Sequence, residues 1–340
     1  MSVIIGVDPH KATHTAVAIG QAEDELGRVQ VRATRRQVAQ LLSWAEPFET
    51  RTWAIESAGG LGYLLAQQLV AAGEEVLDVP ATLASRVRVL ASGSSNKNDR
   101  NDARSVAVAA LRAPALRSVA PADHAEILRL LAKRNTDIGN HRTRVVCRLH
   151  AALAELSAGG IAKELNASDA ERLLAQIAPS TPVEHIRHEL ALELLGEVRV
   201  LDGQLKESHR RIRDAVRAAN TSVVELFGVG PIIACMAVGY SGDIRRFPSR
   251  DHYAAYNGTA PVEFSSAGRI VHRLSQRGNR QLNHAIHMAA ICQIRQPHSE
   301  GRAYFERKVA EGKTKKEAIR ALKRQVSNAI YRQLLVDANR

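Results

Sequence analysis

Four acidic residues stand out by type and placement. Asp8 and Glu56 each lie at the end of an apolar, β-branched run, VIIGVD over residues 3–8 and TWAIES over residues 52–57. A carboxylate in such a place is costly to bury unless it is protonated or neutralised by a cation, so two of them side by side imply a proton or a metal. Asp99 and Asp102 lie three residues apart in KNDRNDARS, over residues 97–105. That spacing sets both side chains on one helix face, where like charges cost stability. A divalent cation would reverse the cost, and two ions about 4 Å apart would clamp the attacking and leaving oxygens of a phosphodiester displacement. A shell made of oxygens alone suits Mg2+. Lys97, Arg100 and Arg104 flank the last pair and read as contacts to backbone phosphates. Each acid taken singly also has a plainer explanation: a turn cap for Asp8, an arginine partner for Glu56, a helix N-cap for Asp99. Capping does not explain the conjunction of all four.

The elements around these acids follow an order of β-β-β-α-β-α-β-α. Residues 3–8 and 13–19 read as a hairpin, 28–34 alternate as a third strand, and 52–57 and 74–80 are further strands, with helical periodicity at 36–46 and 61–72. In a mixed sheet of this order, the strand after the three-stranded meander can return beside the first, which would place Asp8 and Glu56 on neighbouring central strands. From about 120 to 219 the strand signals give way to apolar residues at three- and four-residue spacing, broken at Gly159-Gly160 and from Pro179 to Pro182. This pattern predicts long helices forming an arm or coiled-coil hairpin, a place for a homodimer contact.

The last third holds a second set of chemistry-bearing residues. In LFGVGPIIA, residues 226–234, Gly228, Gly230 and Pro231 sit at a helix start, where unpaired N–H groups can hold a phosphate or where two helices are simply joined. Ser265 and Ser266 lie on a short polar connection among Arg245, Arg246, Arg269, Arg273, Arg277 and Arg280. A serine attacking a phosphodiester needs a base and nearby cations; alternatively the serines form a turn and the arginines grip DNA. His284 and His287 share a helix face without accompanying carboxylate or cysteine ligands, which favours a structural role. Tyr253 and Tyr256 could stack on bases but read as packing residues or a single contact. Two final helices at about 299–311 and 314–336 carry Lys313, Lys315, Lys316, Arg320, Lys323 and Arg324.

The motifs G-V-D-x-H-K, A-I-E-S and K-N-D-x-x-D-A, in this order and approximate spacing, resemble the DEDD transposases of insertion-sequence family one hundred and ten, whose first domain resembles the RuvC Holliday-junction resolvase. The resemblance implies an RNase H-like α/β N-terminal domain with a mixed sheet, a long helical coiled-coil arm and a mainly α C-terminal domain. It implies Asp8, Glu56, Asp99 and Asp102 as ligands for metal-dependent strand exchange. It also implies a nucleophilic serine between a G-x-A-P segment and a downstream R-G-N. Counted from Pro261, Ser266 matches that serine best; the family usually has glycine directly after it, whereas here Ala267 precedes Gly268, which leaves Ser265 open. The expected domains are a RuvC-like catalytic domain over 1–115, the arm over 116–219 and a basic serine-containing domain with a helix-hairpin-helix-like segment over 220–340. Since each end holds part of the chemistry, the acids of one subunit are expected to face Ser266 of another. The resemblance further implies donor and target DNA chosen by a structured guide, a bridge RNA, which no residue motif here reveals. A junction nuclease using the acids and water, or a nucleic-acid-binding descendant with vestigial acids, are the competing readings.

Charge points the same way. The formal net charge is +12, and residues 221–340 hold 19 Lys and Arg against 9 Asp and Glu, so most of the excess lies in the last third. That asymmetry places the anionic partner there. Three isolated cysteines, Cys147, Cys235 and Cys292, exclude a C-x-x-C zinc site and read as core residues. The opening residues lack an export signal and no apolar run is long enough to span a membrane, so a cytoplasmic, nucleoid-associated location in a bacterium is expected.

Overall fold

Two short apolar runs make the centre of the first sheet: β1 (Val3–Pro9) pairs antiparallel with β2 (Thr13–Ile19). The computed structural model describes residues 2–92, 99–113, 116–159, 161, 164–266, 269–274 and 278–340, with the backbone alone at 91–92 and 263–274. Contacts divide the chain into two units, Met1–Ala122 and Asp123–Arg340. Among the described residues no helix is long and apolar enough to cross a membrane.

In the first unit, β3 (Glu25–Arg32) alternates exposed and half-buried positions as an edge strand should, and is followed by α1 (Gln37–Ala45). The chain then returns through β4 (Arg51–Glu56) to lie parallel to β1, continues through α2 (Tyr63–Ala71) to β5 (Val76–Val79), and ends in α3 (Ala81–Ser92), α4 (Asp99–Arg112) and the short β6 (Arg117–Ser118). The strand order is β3-β2-β1-β4-β5-β6, with β1, β4 and β5 parallel and the other strands antiparallel to their neighbours. This is a mixed sheet of the strand order expected from the sequence, with β4 returned beside β1.

Side chains alternate across the sheet, and the two faces have separate cores. Val3, Ile5 and Val7 of β1, with Trp53 and Ile55 of β4, pack with Leu41 of α1 and Leu65 and Leu69 of α2. Ile4, Val17 and Ala54 pack on the other face with Ala103, Val106 and Ala107 of α4. Arg51 and Trp53 of β4 hold the turn leading into β5: Glu74 accepts from the Arg51 guanidinium at 2.6 and 2.9 Å and from the Trp53 indole at 2.7 Å. The Arg51 hydrogen bonds hold the Glu74 carboxyl below the usual range.

In the second unit, α5 (His124–Ala154) and α7 (Pro182–Ala218) run antiparallel, with α6 (Ala167–Gln176) against them. Ile138, Val145 and Leu149 meet Leu194, Val198 and Leu201 along their length. Pro182 opens α7 at the position where a missing N–H costs nothing, and Thr181 caps it. Beyond lie α8 (Pro231–Ser241), α9 (Arg250–Tyr256), the hairpin strands β7 (Pro261–Ser266) and β8 (Arg269–Leu274), α10 (Arg280–Arg295), α11 (Glu300–Ala310) and α12 (Lys315–Ala338). The near ends of α5 and α7 share one core with α8, α10 and α12.

Two expectations change. The serines belong to a strand rather than a polar connection: Ser265 pairs with Ile270 and Ser266 with Arg269 across β7 and β8. Val262 and Phe264, opposite Arg273 and Val271, carry the alternation expected of a paired strand. Of the cysteines, Cys235 is core, but Cys147 and Cys292 are exposed, because they fall on the outward faces of α5 and α10.

One glycine sets how closely α4 approaches the sheet. A Cβ at Gly6 would stand 2.2 Å from the Ala103 carbonyl and 2.4 Å from the Ala107 amide nitrogen. Both clashing atoms are backbone, so relief requires the helix to move. Gly6→Ala is expected to lower unfolding free energy by about 1–3 kcal/mol. Denaturant unfolding checks it; wild-type stability would show that α4 is not held by this approach.

Candidate active site

The sheet's alternation decides where the acids point. Asp8 follows Ile4 and Gly6 on the α4 face of β1, and Glu56 follows Ala54 on the same face of β4. Pairing between these parallel strands runs to Val7 opposite Ile55, so the two acids leave neighbouring strands one residue later. Glu56 is held by an unusual turn. Ser57 takes a left-handed φ of 51°, while its N–H donates to the Val79 carbonyl at 2.9 Å and the Ala58 N–H donates to Asp78 Oδ1 at 2.8 Å. A non-glycine residue in that conformation is strained, and strain of this kind gathers at functional sites.

From above the sheet, α4 supplies Asp102, which is buried, and Asp99, half-exposed as the helix's first described residue. Both occupy the first turn, where the helix dipole favours negative charge. Asp8, His10, Glu56, Arg88, Asp102 and Ser105 line one cavity of about 240 Å³.

The cavity's electrostatics are unbalanced. Burial pushes the Asp8 carboxyl up to about 6; His10 opposes the shift, and Glu56, Asp102 and Asp99 add to it. The Arg88 guanidinium, from α3, donates to Asp102. His10 lies between two acids, with Nδ1 3.6 Å from Asp8 and Nε2 3.9 Å from Asp99. These separations are too long for hydrogen bonds, and the buried Nδ1 has no hydrogen-bond partner among the described residues. One ligand atom each from Asp8, His10 and Asp99 falls within 4.8 Å of the others. Two atoms bound to one small divalent ion at about 2.1 Å can stand about 4 Å apart. The donor set and the orphaned nitrogen therefore fit a divalent metal.

The other residues singled out from the sequence are placed as follows. Arg100 pairs with Glu25 at 2.8 Å and Arg104 donates to the Glu23 carbonyl at 3.0 Å, both on the β2–β3 side of the same unit. Lys97 and Arg277 lie outside the described residues, and so do the side chains of Ser265, Ser266, Arg269 and Arg273. Gly228 has a φ of 82°, and a Cβ there would stand 2.9 Å from the Ala289 carbonyl, so packing on α10 accounts for it. Gly230 is the N-cap of α8. Arg245 pairs with Asp243 at 2.9 Å. Arg246 stacks on Phe247 and Tyr256, 4.3 and 4.6 Å from the ring centres, and donates to the Ser241 carbonyl. Tyr253 is fully buried against Phe247 and Tyr331, as packing requires. Arg280 opens α10.

Sequence reasoning left His10 and Arg88 unassigned. His10 stands in the G-V-D-x-H-K motif, two residues after Asp8; no pattern around Arg88 marks it, because α3 brings it in through tertiary packing.

The raised Asp8 carboxyl makes a signed prediction. Above about pH 6 the metal-free folded state carries a buried charge that the unfolded chain holds in water. Between about 6 and the ordinary 3.8 the folded state takes up a proton first, so stability rises as pH falls through that window. Asp8→Asn is expected to stabilise the metal-free protein by roughly 2–3 kcal/mol at neutral pH, a gain that vanishes by about pH 4, and to remove the stabilisation that a divalent ion gives the wild type. Thermal unfolding across pH with chelator or metal measures this; a gain independent of pH would disprove the electrostatic account.

Comparison with known proteins identifies the chain's relatives. The IS110 DEDD transposase family, described as Transposase, matches residues 5–157, and the family described as Transposase IS116/IS110/IS902 matches residues 220–306. The insertion element IS116 uncharacterized 44.8 kDa protein of Streptomyces clavuligerus is 26% identical over 97% of this chain and 94% of its own. The IS900 uncharacterized 42 kDa protein of Mycobacterium paratuberculosis is 27% identical over the same shares. Among solved structures, Thermus thermophilus RuvC in complex with Holliday junction substrate covers 35% of this chain with all of its own, at 18% identity and a TM-score of 0.30. With both ends of the chain matched in order, the protein belongs to the IS110 family of transposases.

Proposed function

We propose that this transposase excises and integrates a DNA segment by strand cleavage and exchange. In this reading Asp8, Glu56, Asp99 and Asp102 hold Mg2+, and Ser266 acts as nucleophile in a homo-oligomer directed by a structured guide RNA. The observation that carries the reading is the convergence of Asp8, Glu56 and Asp102 on one cavity with Asp99 within reach of His10. When bound there, the metal supplies charge neutralisation and Lewis-acid activation of a phosphodiester. The protein's own part is to fix the carboxylates on two adjacent strands and a helix start, and to hold Asp102 with Arg88. A preorganised site of this kind loses little to reorganisation when charge develops.

Register favours Ser266 over Ser265. Directly opposed residues share one face of an antiparallel ribbon, and successive residues alternate. In the backbone register Ser266 stands opposite Arg269, whereas Ser265 stands opposite Ile270. In the step itself, the serine Oγ forms a bond to phosphorus and the P–O3′ bond breaks, leaving a 5′-phosphoserine link and a free 3′-OH. The serine's proton is the one the departing 3′ oxygen must regain. A DNA 3′-OH later attacks the same phosphorus and releases the serine.

The test is a recombination assay with purified protein, Mg2+, the transcript of the DNA flanking its gene and matched DNA, trapping covalent protein–DNA adducts. The adduct is expected in wild type and in Ser265→Ala, and is expected to be lost in Ser266→Ala and in Asp99→Ala. Cleavage that survives both serine changes without any adduct would leave a metal-dependent nuclease using water.

A further inference from the structure

The second unit contains a cavity that neither the acids nor the hairpin accounts for. It measures about 420 Å³ and is lined by Arg280, His284 and His287 of α10 and Lys316, Arg320 and Lys323 of α12. On each helix these positions follow i, i+4, i+7, so two stripes of nitrogen bases face one hollow. The helices are held together beneath it by Leu282, Ile286 and Ala289 against Leu322, Val326 and Ile330. Among the described residues no carboxylate lines the hollow. The acid beside it, Glu317, reaches Arg320 only at 4.0 Å, and its carboxylate accepts from the Thr314 N–H and hydroxyl at 2.9 and 2.7 Å.

The pocket is built rather than a chance crowding of surface lysines. Lys323 Nζ donates to Asn283 Oδ1 at 2.7 Å, and Asn283 Nδ2 in turn donates to the Asn257 carbonyl at 2.7 Å, which fixes the ammonium in place. Burial and the neighbouring Arg280 push Lys323 down to about 8. Burial, Lys323 and His284 likewise lower His287. Lysines on a solvated basic face extend into water and escape such penalties. Other arginines of this unit meet carboxylates: Arg245 on Asp243, Arg302 on Glu306 and Arg324 on Asp251. Among the described residues, Arg280 and Lys316 have no carboxylate partner.

We propose that this pocket between α10 and α12 is a phosphodiester-binding site that seats the backbone of a nucleic-acid strand. The inference rests on the reading of the chain as acting on nucleic acid, but not on the acid site or the serine. A phosphodiester supplies the missing negative charge and two acceptor oxygens, which Arg280, Arg320 and Lys323 can meet with charge-assisted hydrogen bonds. Its grip is on backbone, so it adds affinity without choosing sequence.

The experiment measures binding of the full chain to labelled duplex DNA and, separately, to a labelled hairpin RNA, from about 50 to 200 mM salt. For Arg280→Gln with Lys316→Gln, both exposed residues, the slope of log affinity against log salt is expected to shrink by about 1 for each phosphate no longer neutralised, equally for unrelated sequences. A change confined to DNA or to RNA identifies which strand sits in the pocket. Lys323→Met is expected to weaken binding while leaving the unfolding temperature of the free protein unchanged or higher, since it removes a buried cation; a purely structural lysine would lower that temperature and spare the slope. Should Lys323→Met not fold, the exposed pair decides. Unchanged slopes with both nucleic acids would overturn the pocket and leave the strand-exchange reading standing; absence of wild-type strand exchange would overturn that reading and leave the binding result.

Discussion

Burial of carboxylates beside one another is the constraint to which the first unit is fitted. Asp8, Glu56 and Asp102 line a single cavity, and in a low-dielectric setting neighbouring negative charges do not all ionise freely. The unit bears this in three ways. Asp8 keeps its proton to about pH 6, Arg88 covers Asp102, and the first turn of α4 offers the positive end of a helix to Asp99 and Asp102. Each device is partial. The buried His10 nitrogen between Asp8 and Asp99 is left without a hydrogen-bond partner among the described residues, a residual deficit located where a cation would sit.

Rigid elements keep the acids from relaxing apart. Asp8 and Glu56 are borne by adjacent parallel strands whose apolar side chains are buried in two separate cores. Their direction is fixed by pleating, and rotating one away would expose apolar neighbours. Helix α4 sits against β1 at a distance only glycine permits, with Ala103 and Ala107 directly above Gly6. The small-residue surface that brings the helix close also brings Asp102 over the strand ends. Packing density in the core and charge density in the site are therefore set by the same approach of helix to strand.

Much of this was legible in the sequence. The acids at the ends of apolar runs, the return of β4 to β1 and the helical spacing of Asp99 and Asp102 all follow from local periodicity, which the chain obeys because central strands leave little choice of face. Less legible was anything decided by tertiary approach. The i, i+3 spacing gives Asp99 and Asp102 equal standing, whereas one is half-exposed and the other buried, because α4 meets the sheet beyond its first residue, from Asp102 and Ala103 onward. Arg88 reaches the cavity from α3 across 14 residues and carries no local mark. Around the serines, Arg245 and Arg246 looked free to bind DNA, yet one is paired with Asp243 and the other is stacked on rings. Counting cations in a stretch does not tell which are already engaged.

That distinction reorganises the meaning of the basic C-terminal third. Net positive charge alone draws any polyanion at long range and is screened within about 8–10 Å at ordinary salt. A bound phosphate gains more from a cation that water has already left, since the desolvation has been met in folding and the partner is held in place. Lys323, tied to Asn283 and depressed by burial, meets that description; Arg302, Arg217 and Arg210, beside acids one turn away on their own helices, do not. The charge that matters for gripping a backbone is therefore the fraction that the fold leaves unneutralised and partly dry, and in this unit α10 and α12 concentrate it in one hollow.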